Sequence, residues 1–120
     1  SPSMVDRAAR RVPSADVRVG SAEALPFPDQ YFTVVVNVAS FHHWSDRDAG
    51  LREVLRLLAP KGRLHIMEGV IGPRQEGHGL TADEVDSLIA RCLELGFEDA
   101  SVKRVRVGRR HEYYVVTATA

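Results

Sequence analysis

The sequence is poor in cysteine, in long apolar runs and in net charge, and each shortage closes a class of explanation. A single cysteine, Cys92, among 120 residues excludes an internal disulfide. A reducing, cytoplasmic setting is therefore expected. Cys92 lies on an apolar helical stripe and is expected to be a buried, inert thiol. No apolar run approaches the ~20 residues needed to span a bilayer, and the first residues lack the apolar core of a signal peptide. No membrane association is expected. Lys and Arg number 16, as do Asp and Glu, so no overall field draws the chain to nucleic acid or anionic lipid. Metal-ligand spacing is also lacking. His42, His43, Asp46, His65 and His78 form no H-x-x-x-H or C-x-x-C, and adjacent residues of an extended segment point apart. No metal is expected. The one G-x-G, Gly77-His78-Gly79, has no strand running into it, unlike a dinucleotide loop.

What is present organises around Val17 to Asp46. Val34-Val35-Val36-Asn37-Val38 is too apolar on both parities for a half-exposed strand, and predicts a strand covered on both faces. Ser40, Phe41, His42, His43 and Trp44 follow at its carboxyl end, where open α/β sheets bind ligands. Ahead of it, Ser1-Pro2-Ser3 with Met4, Val5, Ala8, Ala9 and Val12 predicts a helix ended by Pro13, and Val17 and Val19 a short strand. Leu25-Pro26-Phe27-Pro28-Asp29 must be an extended loop.

After the strand, Ser45 with Asp48 suggests a capping box for a helix carrying Leu51, Val54, Leu55 and Leu58, stopped by Ala59-Pro60-Lys61-Gly62. Leu64, Ile66 and Met67 predict the next strand, parallel to the first. Gly69 to Leu80 predicts a lid-like loop. Thr81 and Glu84 cap a helix with Val85, Leu88, Ile89, Cys92 and Leu93 inward, ending at Gly96. Residues 102–107 and 111–119 flank Gly108-Arg109-Arg110 as an antiparallel hairpin. Its basic residues Lys103, Arg104, Arg106, Arg109 and Arg110 suit an edge protected against strand pairing.

The pieces GSAEALPFPDQYFTVV, FHHW and REVLRLLAPKG, in that order and spacing, resemble the class I S-adenosylmethionine-dependent methyltransferases. The likeness is to the type 11 branch of small-molecule enzymes related to quinone biosynthesis. That family writes G-(D/S)-A-E-x-L-P-F-x-D-x-x-F-D-x-V, a hydrophobic strand, a His-rich corner and R-E-x-x-R-x-L-x-P-G-G. Thr33 stands where the family has Asp, and Lys61 where it has the first Gly of P-G-G.

The resemblance implies an α/β fold, a partial Rossmann-like doubly wound, mostly parallel sheet with a C-terminal antiparallel hairpin whose last strand inserts between the two before it. Its first two strands and the glycine-rich loop are expected to be missing. Residues 1–120 would form the C-terminal portion of one methyltransferase domain. It implies S-adenosyl-L-methionine as cofactor, with the Ala22 N–H and Ser21 side chain at the adenine, and Asn37 and Val38 beside the methionine end. His42 is the candidate catalytic base, with His43 and Trp44 on the side of a small-molecule methyl acceptor. Each has a plainer alternative: Ser21 a turn residue, Asn37 a strand end, His42 a structural histidine, Trp44 packing. The alternative function is a non-catalytic interaction module, or half of a split enzyme, pairing as a homodimer or with a missing N-terminal half through the edge of strand 34–38.

Overall fold

The computed structural model describes residues 1–120. Helix α1 (Pro2–Arg11) is followed by irregular chain, strand β1 (Phe32–Val38), a short 3-10 turn (Phe41–His43) and helix α2 (Arg47–Leu57). Strand β2 (Leu58–Gly69), helix α3 (Ala82–Leu95) and strands β3 (Asp99–Val107) and β4 (His111–Thr119) complete it. The four strands form one sheet in the order β1-β2-β4-β3. β1 and β2 are parallel, and β4 runs antiparallel to both β2 and β3. Three strands therefore point one way, and the last strand lies between its two predecessors as the resemblance implied. No helix is long and apolar enough to cross a membrane.

Alternation along the strands sorts the sheet into two unlike faces. Leu64, Ile66, Tyr114, Val116 and Ala118 are buried, together with Leu51, Val54, Val85, Leu88 and Cys92 of α2 and α3. The core is thus one layer between these helices and one sheet face. Burial pushes the Cys92 thiol up to about 11, so it stays protonated and unreactive near neutrality. On β1 only the parity of Val35 faces this core, while Val34, Val36 and Val38 are 51%, 61% and 57% exposed. That corrects the expectation of cover on both faces. β1 is an edge strand, and nothing packs on its outer parity.

Local signals account for most boundaries. Thr81 and Glu84 form the expected capping box, and Gly96, at φ 116°, closes α3 by donating its N–H to Cys92 and Leu93 carbonyls. Leu93 points outward, 48% exposed, one position past the buried stripe. The α2 cap is Asp46 rather than Ser45: its carboxylate accepts from the Ala49 N–H at 3.0 Å. Asp48 instead holds Arg91 of α3 at 2.7 Å. Val17 and Val19 form no strand, since no neighbouring strand offers them a ladder. Arg18 secures that stretch instead, donating to Asp16 at 2.8 Å and to the Pro26 carbonyl at 2.8 Å, over the Phe27 ring.

The loop Leu25 to Gln30 is held against α2 chiefly through Arg56, whose carbonyl also accepts from the Gln30 N–H at 2.8 Å. Arg56 donates to the Phe27 carbonyl at 2.9 Å, to Asp29 Oδ1 at 2.8 Å and to the Leu25 carbonyl at 3.2 Å, while gripping Glu53. Glu53, only 9% exposed, accepts in addition from the Leu25 N–H. The Arg56 guanidinium, helped by that N–H, holds the Glu53 carboxyl below its ordinary value against the opposing effect of burial. A depressed carboxyl stabilises the fold fully above the unfolded value near 4.5, and the benefit is lost as pH falls through the lower folded value. Arg56→Ala leaves Glu53 buried without its partner and should cost about 2–3 kcal/mol, below the usual figure for a fully buried pair because Arg56 is partly solvated. Urea unfolding at pH 7 measures that loss. Repeating it down to pH 3 should show a shallower acid dependence in the variant than in the parent.

Candidate functional site

The carboxyl ends of β1 and β2 lie side by side, in register through Val38 and Met67. One residue before the end of β1 stands Asn37, whose Nδ2 donates to Ser40 Oγ at 2.7 Å, while its Oδ1 is buried with no partner. Ala39 then takes φ 53°, a left-handed conformation that strains a residue with a Cβ, and its N–H donates to the Met67 carbonyl at 2.8 Å. This sharp corner swings the chain into the 3-10 turn. Phe41 enters the core at 1% exposure and anchors that turn from below.

On β2 the buried parity runs Leu64, Ile66, Glu68, so a carboxylate stands where an apolar side chain is expected. Glu68 is 1% exposed. Burying it demands donors, and His42 supplies them: its backbone N–H at 3.1 Å and its Nδ1 at 2.9 Å. A carboxylate facing Nδ1 fixes the proton on that atom and turns the Nε2 lone pair outward. Nε2 meets Nδ1 of His78 at 3.1 Å.

The 3-10 turn also draws His43 in, with its ring centroid 4.0 Å from that of His42. Ligand nitrogens of His42, His43 and His78 all lie within 4.8 Å of one another. The expectation that adjacent histidines point apart assumed an extended segment, and the turn overturns it. Trp44 stacks on α2: a Cβ at Gly50 would lie 2.4 Å from the indole, and the Phe41 ring is 5.0 Å away. Its indole is thus committed to packing, with part of one side left in solvent.

Ser21 and Ala22 occupy a turn closed by the Ala24 N–H on the Ser21 carbonyl at 3.1 Å. Glu23 of this turn accepts from the Asp46 N–H at 3.1 Å, tying the turn to the start of α2. Ser21 Oγ takes the Glu23 N–H at 3.2 Å and keeps a second lone pair. The Ala22 N–H makes no hydrogen bond within the protein. An unpaired backbone donor beside a spare hydroxyl acceptor suits a purine edge that offers a ring nitrogen and an amine. Separately, a cleft of ≈ 310 Å³ opens between α2 and α3 beside Phe41, crossed by the Arg91–Asp48 and Arg47–Glu84 pairs. No histidine lines it.

From sequence alone Glu68 is passed over and His78 is set aside as a ligand for want of metal-ligand spacing. Glu68 had a signal, a charge on a buried strand parity, that could have marked it. His78 had none, because it lies 36 residues from the ring it meets.

Against known proteins, the family described as "Methyltransferase domain" matches residues 1–66, the part that holds the Ser21 turn, β1, the histidine turn and α2. The uncharacterised protein YafE of Escherichia coli (strain K12) is 41% identical over 80 residues, covering 67% of this chain and 38% of its own length. The uncharacterised methyltransferase YdaC of Bacillus subtilis (strain 168) is 31% identical over 107 residues, covering 86% of this chain and 58% of its own. The chain thus spans well under two thirds of either relative. Among solved structures, a SAM-dependent methyltransferase from Aquifex aeolicus superposes with a TM-score of 0.71 at 21% identity, over 98% of this chain and 64% of that one. With the family match taking in more than half of the 120 residues and the fold agreeing across nearly all of them, the chain belongs to the methyltransferase-domain family and carries the class I fold of SAM-dependent methyltransferases.

Proposed function

We propose that this chain forms the adenine-side and acceptor-side walls of a site that moves a methyl group from S-adenosyl-L-methionine to a small-molecule acceptor. The observation that carries this is the Ala22 N–H, left unpaired in a turn whose Ser21 hydroxyl retains a free lone pair. These residues fit the cofactor's adenine, while Asn37 and Val38 end β1 where its methionine portion would lie. The bound cofactor supplies an electrophilic methyl on a sulfonium.

The chain's own residues would position the partner and take up its proton. His42 Nε2 receives the proton that the acceptor's nucleophilic oxygen, nitrogen or carbon gives up. The Glu68 carboxylate, on the far side of the ring, stabilises the resulting imidazolium. His78 must swing away from Nε2 for this to happen. His43 and the open side of Trp44 border the acceptor, and proximity and exclusion of water supply the remainder.

The cofactor half is tested by following backbone amides by NMR while S-adenosylhomocysteine is added. Shifts should concentrate at Ala22 and around Asn37 and Val38, with a dissociation constant weaker than about 100 μM. Ala22→Pro removes the donor and should abolish those shifts. Shifts confined to other regions would sink the assignment, and low-micromolar affinity would show that this chain holds more of the cofactor site than proposed.

A second reading is that the chain pairs with another through β1. It is favoured by the position of β1 at the sheet edge and by exposed Val34, Val36 and Val38. Light scattering across a concentration series should then show association, reduced by Val36→Lys. A monomer at every concentration would exclude self-pairing.

A further inference from the structure

The three imidazoles at the strand ends hold more order than a proton acceptor needs. We propose that His42, His43 and His78 form a binding site for one divalent transition-metal ion of the zinc class, with Glu68 as the carboxylate that orients His42. Four observations carry this.

The nitrogens are already close. Two nitrogens bound to one tetrahedral zinc at about 2.0–2.1 Å lie about 3.4 Å apart. His42 Nε2 and His78 Nδ1 are at 3.1 Å, so an ion replaces their hydrogen bond with a small outward shift of one ring. The His43 nitrogen, within 4.8 Å of the others, needs only to close inward.

The tautomer is also set. Metal-binding histidines commonly donate their second ring nitrogen to a carboxylate, which fixes the ring and raises its basicity. His42 Nδ1 does this to Glu68 at 2.9 Å, leaving Nε2 as the lone pair that faces the cluster.

Charge points the same way. Glu68 is 1% exposed and has no Lys or Arg partner, only the backbone N–H and ring of His42. A buried carboxylate without a cation is costly. An ion behind the imidazole supplies the missing positive charge.

Finally, the third ligand is on a loop that is fixed at its base beside the end of β2. His78 lies between Gly77 and Gly79, and Gly79 passes so close to the Gly69 carbonyl that a Cβ there would lie 2.3 Å from its oxygen. The loop is closed at its base by the Leu80 N–H on Gly69 at 2.9 Å, which holds His78 above the end of β2.

The donor set is three neutral nitrogens without thiolate, which suits zinc, cobalt, nickel or copper better than magnesium or calcium. Three protein ligands leave at least one position for water or for an oxygen or nitrogen of a ligand. The ion takes the Nε2 lone pair assigned above to proton acceptance, so the two uses of His42 exclude one another. The metal site rests on none of the residues assigned to the cofactor, so its failure would leave that assignment intact.

Titrating the metal-free chain with Co2+ tests it. One equivalent should bind and develop visible d–d absorption, and one equivalent of Zn2+ should bleach it. His43→Ala and His78→Ala, both at exposed positions, should each weaken binding at least tenfold, as should His42→Ala. Glu68→Gln should weaken it about 10–100-fold. His65→Ala and His111→Ala, away from the cluster, should leave it unchanged, and circular dichroism should show every variant folded. Absent stoichiometric binding, or binding indifferent to His43→Ala or His78→Ala, overturns the site and leaves the cofactor assignment untouched. A variant that loses its fold is replaced by His78→Gln, for which the same loss is required.

Discussion

The Glu53–Arg56 pair is the contact on which the placement of the Leu25 to Gln30 loop, and with it the Ser21 turn, depends. Pro26 and Pro28 remove two backbone donors from the loop they flank, and neither the loop nor the stretch before it joins a ladder. The Phe27 carbonyl needs a donor, and the Arg56 fork provides it from α2 while adding a second donor to the Leu25 carbonyl, which already accepts from the Phe27 N–H. Glu53 answers for the Leu25 N–H and keeps the fork aimed. The co-occurrence of the LPFPD and REVLR segments is therefore a structural fact before it is a functional one: each completes the hydrogen bonding of the other.

Glu68 imposes a comparable constraint on the opposite wall. Its carboxylate stands in the buried row with Leu64 and Ile66, so the polypeptide must bring donors to it. Only the turn after β1 is near enough, and Phe41 secures that turn by filling the core beside Leu51. The left-handed Ala39 makes the corner tight enough for the His42 N–H and ring to reach the same carboxylate. One buried charge thus fixes where His42 stands and which of its nitrogens faces His78.

What the sequence disclosed and what it withheld divide along local and non-local physics. The α3 capping box, the Gly96 stop, the β1-α2-β2 unit and the terminal hairpin rest on residues within a few positions of one another, and these were legible. Asp46 displaced Ser45 as the α2 cap because both are good caps one position apart, and only the turn geometry chooses. The Val17 strand failed because a strand is defined by its partner, which periodicity does not supply. The faces of β1 were misjudged for the same reason: an apolar run shows capacity for burial, not what covers it. Lys61 is instructive. The resemblance puts glycine there, and the backbone takes φ 67°, a conformation that glycine adopts freely and lysine under strain. Its N–H on the Ala120 carbonyl and the Ala120 N–H on Gly62 hold it there. The convergence of His42 and His43 on His78 spans the whole of α2 and β2, and no spacing rule reaches that far.

The two walls differ in how they are supported. The histidine turn is rooted through Phe41 and Glu68 in the core between the sheet and α2 and α3, so displacing it requires opening that core. The Ser21 turn has no residue in the core and is held by the Arg56 fork, the Glu23 contact with Asp46 and Arg18 on the Pro26 carbonyl. The Glu23 and Arg18 contacts are exposed hydrogen bonds, individually worth little, and break without global unfolding. A perturbation of the clamp should therefore loosen the Ser21 turn while leaving the imidazole cluster in place. The reverse does not hold, because removing Glu68 or Phe41 disturbs the packing that carries β1, β2 and α2 together. The chain thus couples a firm, histidine-bearing floor to a softer Ser21 wall, and the order in which the two fail follows from which of them owns a share of the core.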